Sequence, residues 1–226
     1  MPPIPFRVNP MSEHVGIPES YTELPYIEST GYQYIDTEWV GTLGTSIHVR
    51  CTPLNTRYGS VVGMRGPGNT LTRANIAINI GWQSKTANFL SDFNFQNDSR
   101  HLFFVPDFDS VYKSLVYDVY LDKNNSNLTV YKNGEVYCED NKSYPTPSFD
   151  STVAINMCFF TAAPFASGSR GGWTGRIYEC QIKNEGVIVR NFIPALDFTG
   201  RPCMYDTAEK RPFYNQTAIE FKYPTV

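Results

Sequence analysis

Leu115-Val-Tyr-Asp-Val-Tyr-Leu121, a polar stretch over 122–127, Leu128-Thr-Val-Tyr-Lys132, Asn133-Gly134 and Glu135-Val-Tyr-Cys138 follow one another without interruption. In the first run Leu115, Tyr117, Val119 and Leu121 share one face of a period-two pattern, and Val116, Asp118 and Tyr120 share the other. That alternation belongs to a half-buried strand, not to a helix. Asn133-Gly134 suits a two-residue type I′ hairpin turn, because both central residues of that turn need a positive φ. The stretch therefore predicts three antiparallel strands, near 114–121, 128–132 and 135–138.

A second hairpin lies further along: Arg176 to Lys183, a turn at Asn184-Glu185-Gly186, and a return over Val187 to Phe192. Its alternation assigns Tyr178, Cys180 and Ile182 to the core and sets Ile177, Glu179 and Gln181 against them. The Gly-rich stretches Gly63 to Gly68 and Ala166 to Gly172 read as loops. No run carries helical periodicity for ten residues or more, and no heptads appear. An all-β domain is expected.

At 226 residues, with 41% hydrophobic and 18% charged side chains, the chain suits one large β-sandwich with a sizeable core. A formal charge of −3 and no Lys/Arg run longer than two residues argue against nucleic-acid binding. Residues 1–18 hold no apolar signal region and nothing later reaches the ~18 apolar residues of a spanning helix, so a soluble, unexported chain with no membrane partner is expected. The cysteines, Cys51, Cys138, Cys158, Cys180 and Cys203, are odd in number and match neither zinc nor small-disulfide spacing. They are expected as free, mostly buried thiols of a protein assembled in a reducing cytoplasm.

From Met1 to about Pro18 the chain carries five prolines, which remove ladder donors and push their neighbours into extended conformations. This arm is either a disordered leader or an extended segment docked on a partner through Ile4, Phe6 and Val8. The expected division is an arm over 1–18 and one domain over 19–226.

The segment Tyr21-Thr-Glu-Leu-Pro-Tyr-Ile-Glu-Ser-Thr-Gly-Tyr-Gln-Tyr-Ile-Asp-Thr37 resembles the opening of a concanavalin A-like lectin/glucanase (laminin-G-like) domain. Gly175-Arg-Ile-Tyr-Glu-Cys-Gln-Ile182, Val189-Arg-Asn-Phe-Ile-Pro194, Cys203-Met-Tyr-Asp206 and Phe213-Tyr-Asn215 resemble the closing strands of the same family. The resemblance implies a jelly-roll sandwich of two antiparallel sheets whose first and last strands lie together, with Tyr34 and Ile35 near the final hairpin. Such domains are frequent in bacteriophage structural proteins and in surface proteins of gut bacteria.

Glucanases of this family carry Glu-x-Asp-x-x-Glu on one strand, placing nucleophile and acid on either side of the glycosidic bond. None of the eleven glutamates here is followed two positions later by aspartate, so no catalytic residue is expected and the chain is read as a non-enzyme. His14, His48 and His101 are scattered, without metal-ligand spacing. No cofactor or metal is expected; Asp107, Asp109 and Asp122 are the acids to check for a structural Ca²⁺. Aromatic faces stack on sugars, which makes Trp39, Trp82 and Trp173 the candidate ligand-binding residues, each also open to a reading as a core or sheet-face tryptophan. Sequons at Asn97, Asn124, Asn127, Asn141 and Asn215 are read as chance matches.

The resulting expectation is a non-catalytic phage virion protein (head fibre, capsid decoration or tail-associated), assembled in the bacterial cytoplasm and displayed on the virion surface. Its expected partners are other virion proteins through the arm, further copies of itself, and a cell-surface glycan. The alternative is a bacterial carbohydrate-binding protein or an inactive glycosidase-like domain.

Overall fold

The computed structural model describes residues 16–55, 59–66, 75–83, 86–93, 101–104, 115–122, 128–139, 154–162 and 172–225, with side chains left out of account at 82–83, 86–93 and 101–104. Among them there is no helix, and hence none long and apolar enough to cross a membrane. The strands are β1 (Thr22–Glu23), β2 (Ile27–Thr30), β3 (Ile35–Val40), β4 (Thr45–Pro53), β5 (Gly59–Arg65), β6 (Asn75–Gln83), β7 (Thr86–Phe93) and β8 (His101–Phe104). They continue as β9 (Tyr117–Leu121), β10 (Leu128–Lys132), β11 (Glu135–Glu139), β12 (Asn156–Phe159), β13 (Thr174–Asn184), β14 (Val187–Leu196), β15 (Pro202–Asp206) and β16 (Arg211–Tyr214).

They form two antiparallel sheets. One has ten strands, ordered β11-β10-β9-β4-β13-β14-β15-β16, with β1 added on β14 and β2 on β13; the other has six, ordered β3-β12-β5-β6-β7-β8. The period-two faces meet in one core: Val119, Val130, Val49, Ile182 and Phe192 come from the larger sheet, and Ile35, Phe159, Met64 and Ile78 from the smaller. This is the jelly-roll sandwich that the sequence implies.

The hairpin at 117–139 forms as read, with Asn133 at φ 54° and Gly134 at φ 82°. The second hairpin differs in its turn. Asn184 pairs with Val187, so the turn is only Glu185-Gly186, at φ 49° and 81°. Its core assignment also changes. A bulge lets Ile177 pair with Cys51 and Glu179 with Arg50, leaving Tyr178 as an extra residue. The phase therefore slips by one, and Ile177 joins Cys180 and Ile182 in the core while Tyr178 is only half-buried.

Gly63 to Arg65 is strand β5, not loop. Gly63 is needed for close approach of β6, since a Cβ there would meet the Ala77 Cβ at 2.4 Å and the Ile76 carbonyl at 2.5 Å. Of the second Gly-rich stretch only Gly172 is described.

The early strands β2 and β3 meet the segment after β16, as the resemblance implies. Glu28 bridges Lys222, Ile35 bridges Asn215, and the Gln216 N–H donates to the Tyr34 carbonyl at 2.9 Å. On the outside of β14 and β15 a second apolar cluster of Ile193, Ala195, Cys203 and Tyr205 is covered by Ile17 and Tyr21. The domain's packing thus begins by Ile17, inside the segment assigned to the arm. Residues 1–15, with Ile4, Phe6 and Val8, lie outside the described residues.

All five cysteines are free, four of them buried and Cys138 half-buried. Burial pushes the thiols of Cys138, Cys158 and Cys203 up to about 12, and those of Cys51 and Cys180 up as well, so none is a ready thiolate.

Candidate functional site

The three tryptophans fare differently. Trp173 is 1% exposed: it stacks on Phe160 at 6.0 Å and lies flat on Gly175, where a Cβ would stand 2.2 Å from its ring. It is a core residue and offers no ring face to a ligand. Trp82 is placed by register only, opposite Ala87, and its side chain lies outside the described residues. Trp39 is half-buried at the end of β3 and packs its ring against the core edge.

Strand β3 is irregular where it carries Trp39. Asp36 pairs with Cys158 and Val40 with Asn156, so extra residues bulge out between them, and Glu38 takes φ 52°. The Asp36 carboxylate holds the bulge by accepting from the Glu38 N–H at 2.7 Å and from Asn156 Nδ2 at 3.1 Å. A bulge on a rim strand re-aims side chains, and a non-glycine residue in the left-handed region stores strain that recurs at binding sites. Here it turns Glu38 and Trp39 toward the C-terminal strands.

What meets them is Arg190, a charge inside the apolar strand β14 and only 6% exposed. Its Nε donates to the Thr37 carbonyl at 3.1 Å, Nη1 to the Val189 carbonyl at 2.8 Å, and Nη2 to the Glu38 carbonyl at 3.4 Å. Nη1 also pairs with Glu209, and the guanidinium stands 5.7 Å from the Trp39 ring and 5.8 Å from Phe213. Arg190 therefore ties the two sheets together at this rim and lies against the tryptophan.

Asp206 lies beside it, fully buried. Its Oδ1 accepts from the Asn191 N–H at 2.8 Å and the Ala208 N–H at 2.9 Å, while Oδ2 is 3.5 Å from Arg190 Nε. That nitrogen already donates to Thr37, so Oδ2 gains a counter-charge without a hydrogen bond. Burial pushes the Asp206 carboxyl up, against the pull of those N–H groups and Arg190. The Trp39 Nε1–H is likewise buried without an acceptor. At the solvent side Arg211 bridges two carboxylates, Glu38 and Glu209, at 2.7 Å each. The hydrogen bond from Arg211 holds Glu38 below the usual carboxylate range.

The half-buried Trp39 ring and the accessible carboxylates of Glu38 and Glu209 make a surface suited to hydroxyl groups. Asp206 has no access to solvent, so it and the exposed Glu38 do not face a bound molecule together as a carboxylate pair. Asp122 ends β9 with its carboxyl pushed up by burial and by Glu139. No group of three or more His, Cys, Asp or Glu residues that could hold a metal occurs among the described residues, and Asp107 and Asp109 lie outside them. The sequence reading named Trp39 as a candidate and singled out none of Glu38, Arg190, Asp206, Glu209 and Arg211, which the structure brings beside it. The one legible signal was the charge of Arg190, followed by Asn191, in the mostly apolar run Val187-Ile-Val-Arg-Asn-Phe-Ile193.

No family model matches the sequence, and no curated protein matches it. Among solved structures the chain is similar to a candidate carbohydrate-binding protein from Bacteroides ovatus, with TM-score 0.56 and 13% identity over 89% of this chain and 60% of that one. The chain thus spans less than two thirds of that protein. Weaker likenesses are to a heptameric SAP-like pentraxin from Limulus polyphemus (TM-score 0.45, 11% identity, 72% of this chain and 74% of that one) and to the galectin LEC-6 from Caenorhabditis elegans (TM-score 0.36, 10% identity, 75% and 100%). The shared property is the lectin-like sandwich fold.

Proposed function

We propose that this chain is a non-catalytic lectin-like domain that binds carbohydrate at the Trp39 cluster and is carried on a phage virion surface. The observation that carries the binding role is the bulge of β3, which sets a tryptophan against hydrogen-bonding charges at the rim of the sandwich. Support comes from the Bacteroides ovatus protein of the same fold, described by its carbohydrate binding. The missing Glu-x-Asp-x-x-Glu strand supports a binding role over hydrolysis. The virion role rests on the resemblance of the opening and closing segments to a lectin/glucanase family that is frequent in phage structural proteins, and on the proline-rich arm as the anchor to other virion proteins. The Bacteroides neighbour favours a second reading, a bacterial carbohydrate-binding protein.

A glycan array probed with the full chain and with Trp39→Ala tests the binding role: retention of a glycan by the first and its loss by the second is expected. A reducing-end assay on β-glucans should stay at background. Mass spectrometry of purified virions should find the chain in stoichiometric copies; its absence would leave the bacterial reading.

A further inference from the structure

We infer, resting on the reading of the Trp39 cluster as a carbohydrate site, that its ligand is an uncharged glycan held without a metal ion. Both guanidinium groups of the site are already committed. Arg190 is divided among three backbone carbonyls, Glu209 and Asp206, and Arg211 between Glu38 and Glu209. A uronate, sialate or sulfate group would find the charge of each cation already offset by a carboxylate. It would instead meet four carboxylates, Asp36, Glu38, Asp206 and Glu209, against three cations even when Lys210 on the adjoining turn is counted. Placing an anion there sets like charges together with no new partner to offset their desolvation.

A hydroxyl group meets the opposite situation. The Glu38 carboxylate is directed outward by the bulge with its side chain 57% exposed, and Glu209 is 34% exposed, so both keep acceptor lone pairs that an O–H can reach. The half-buried Trp39 ring lies beside these carboxylates, against Arg190, and offers an apolar surface to the C–H face of a sugar. A neutral molecule rich in adjacent hydroxyls supplies donors and acceptors together, which neither a carboxylate nor an ammonium ligand does. The carboxylates of Glu38 and Glu209 that a cation could take are already paired with Arg211 and Arg190.

Isothermal titration of the full chain separates the possibilities. The probes are cellohexaose, mannohexaose and xylohexaose, against hexagalacturonate and sialyllactose, each with and without EDTA. At least one neutral hexaose is expected to bind at least about tenfold more tightly than either acidic probe, with no change on adding EDTA. Glu38→Gln, which removes one carboxylate and releases Arg211, should narrow that preference by weakening the neutral ligand and strengthening the acidic ones. Trp39→Ala should abolish binding, with a thermal melt to confirm folding. Equal or tighter binding of an acidic probe, loss of binding in EDTA, or an unchanged preference in Glu38→Gln overturns this inference and leaves the carbohydrate reading standing. No binding by any probe, or full binding by a folded Trp39→Ala, overturns the carbohydrate site itself.

Discussion

Replacing Arg190 by methionine keeps much of the side-chain volume and removes the charge. In the native protein the guanidinium stands 3.5 Å from Asp206 Oδ2, with side-chain exposures of 7% and 0% for the two partners. At that separation, with an effective dielectric of about 20, the attraction is ~5 kcal/mol, offset in part by the desolvation of both groups. Losing one partner of such a pair costs about 3–5 kcal/mol, because the other charge stays buried and alone. For a domain of this size that lowers the melting temperature by roughly 6–20 °C. The penalty should depend on pH. The Asp206 carboxyl is already pushed up in the folded state, so its ionisation opposes folding as pH rises from the unfolded value of 3.8 through the folded one. Without Arg190 that rise becomes larger, and the gap between variant and wild type should close as pH falls from 7 toward 4. Urea unfolding followed by tryptophan fluorescence at the two pH values measures this. Arg190→Met/Asp206→Asn, which keeps an acceptor for Asn191 and Ala208, should recover part of the loss at pH 7. A single-variant penalty under ~1 kcal/mol, or one equal at both pH values, would refute the assignment of Arg190 as the counter-charge.

Gly134→Val puts a β-branched residue at φ 82° in the hairpin turn and should cost about 1–3 kcal/mol in chemical denaturation; a neutral result would contradict the turn. Thiol titration should find all five cysteines reactive after denaturation without reductant, and the four buried ones slow in the native protein. Burial alone would push Asp197 up, yet hydrogen bonds from Thr199, Arg201 and Tyr214 bring it down to about 2. Its contribution to stability is therefore present above pH 3.8 and lost as pH falls toward 2; Asp197→Asn should flatten acid unfolding across that window.

The hairpin from Tyr117 to Glu139 was legible because strand alternation and turn chemistry are local. The bulges at Tyr178 and Glu38 were not, since an extra residue changes which face every later side chain meets without changing any residue type. Gly63 misled for a related reason: a glycine that turns the chain and one that admits a neighbouring strand are written with the same letter. Trp39 was visible as an aromatic residue. Its partner Arg190 lies 152 positions beyond Glu38, and only the folded sheets show that the two meet.

The covering of β14 by Ile17 and Tyr21 has a mechanical consequence. β1 pairs with Ala195 and Leu196 at one end of β14, whereas Arg190, which meets the Trp39 cluster, lies toward the other end, some 20 Å away at strand spacing. On the proposed reading, tension between a tether on the N-terminal segment and a glycan at Trp39 would be shared between β2 and β3 and, through Arg190, the length of that strand. The hydrogen bonds to its neighbours β13 and β15 are then loaded in shear, all at once, instead of being peeled open one by one.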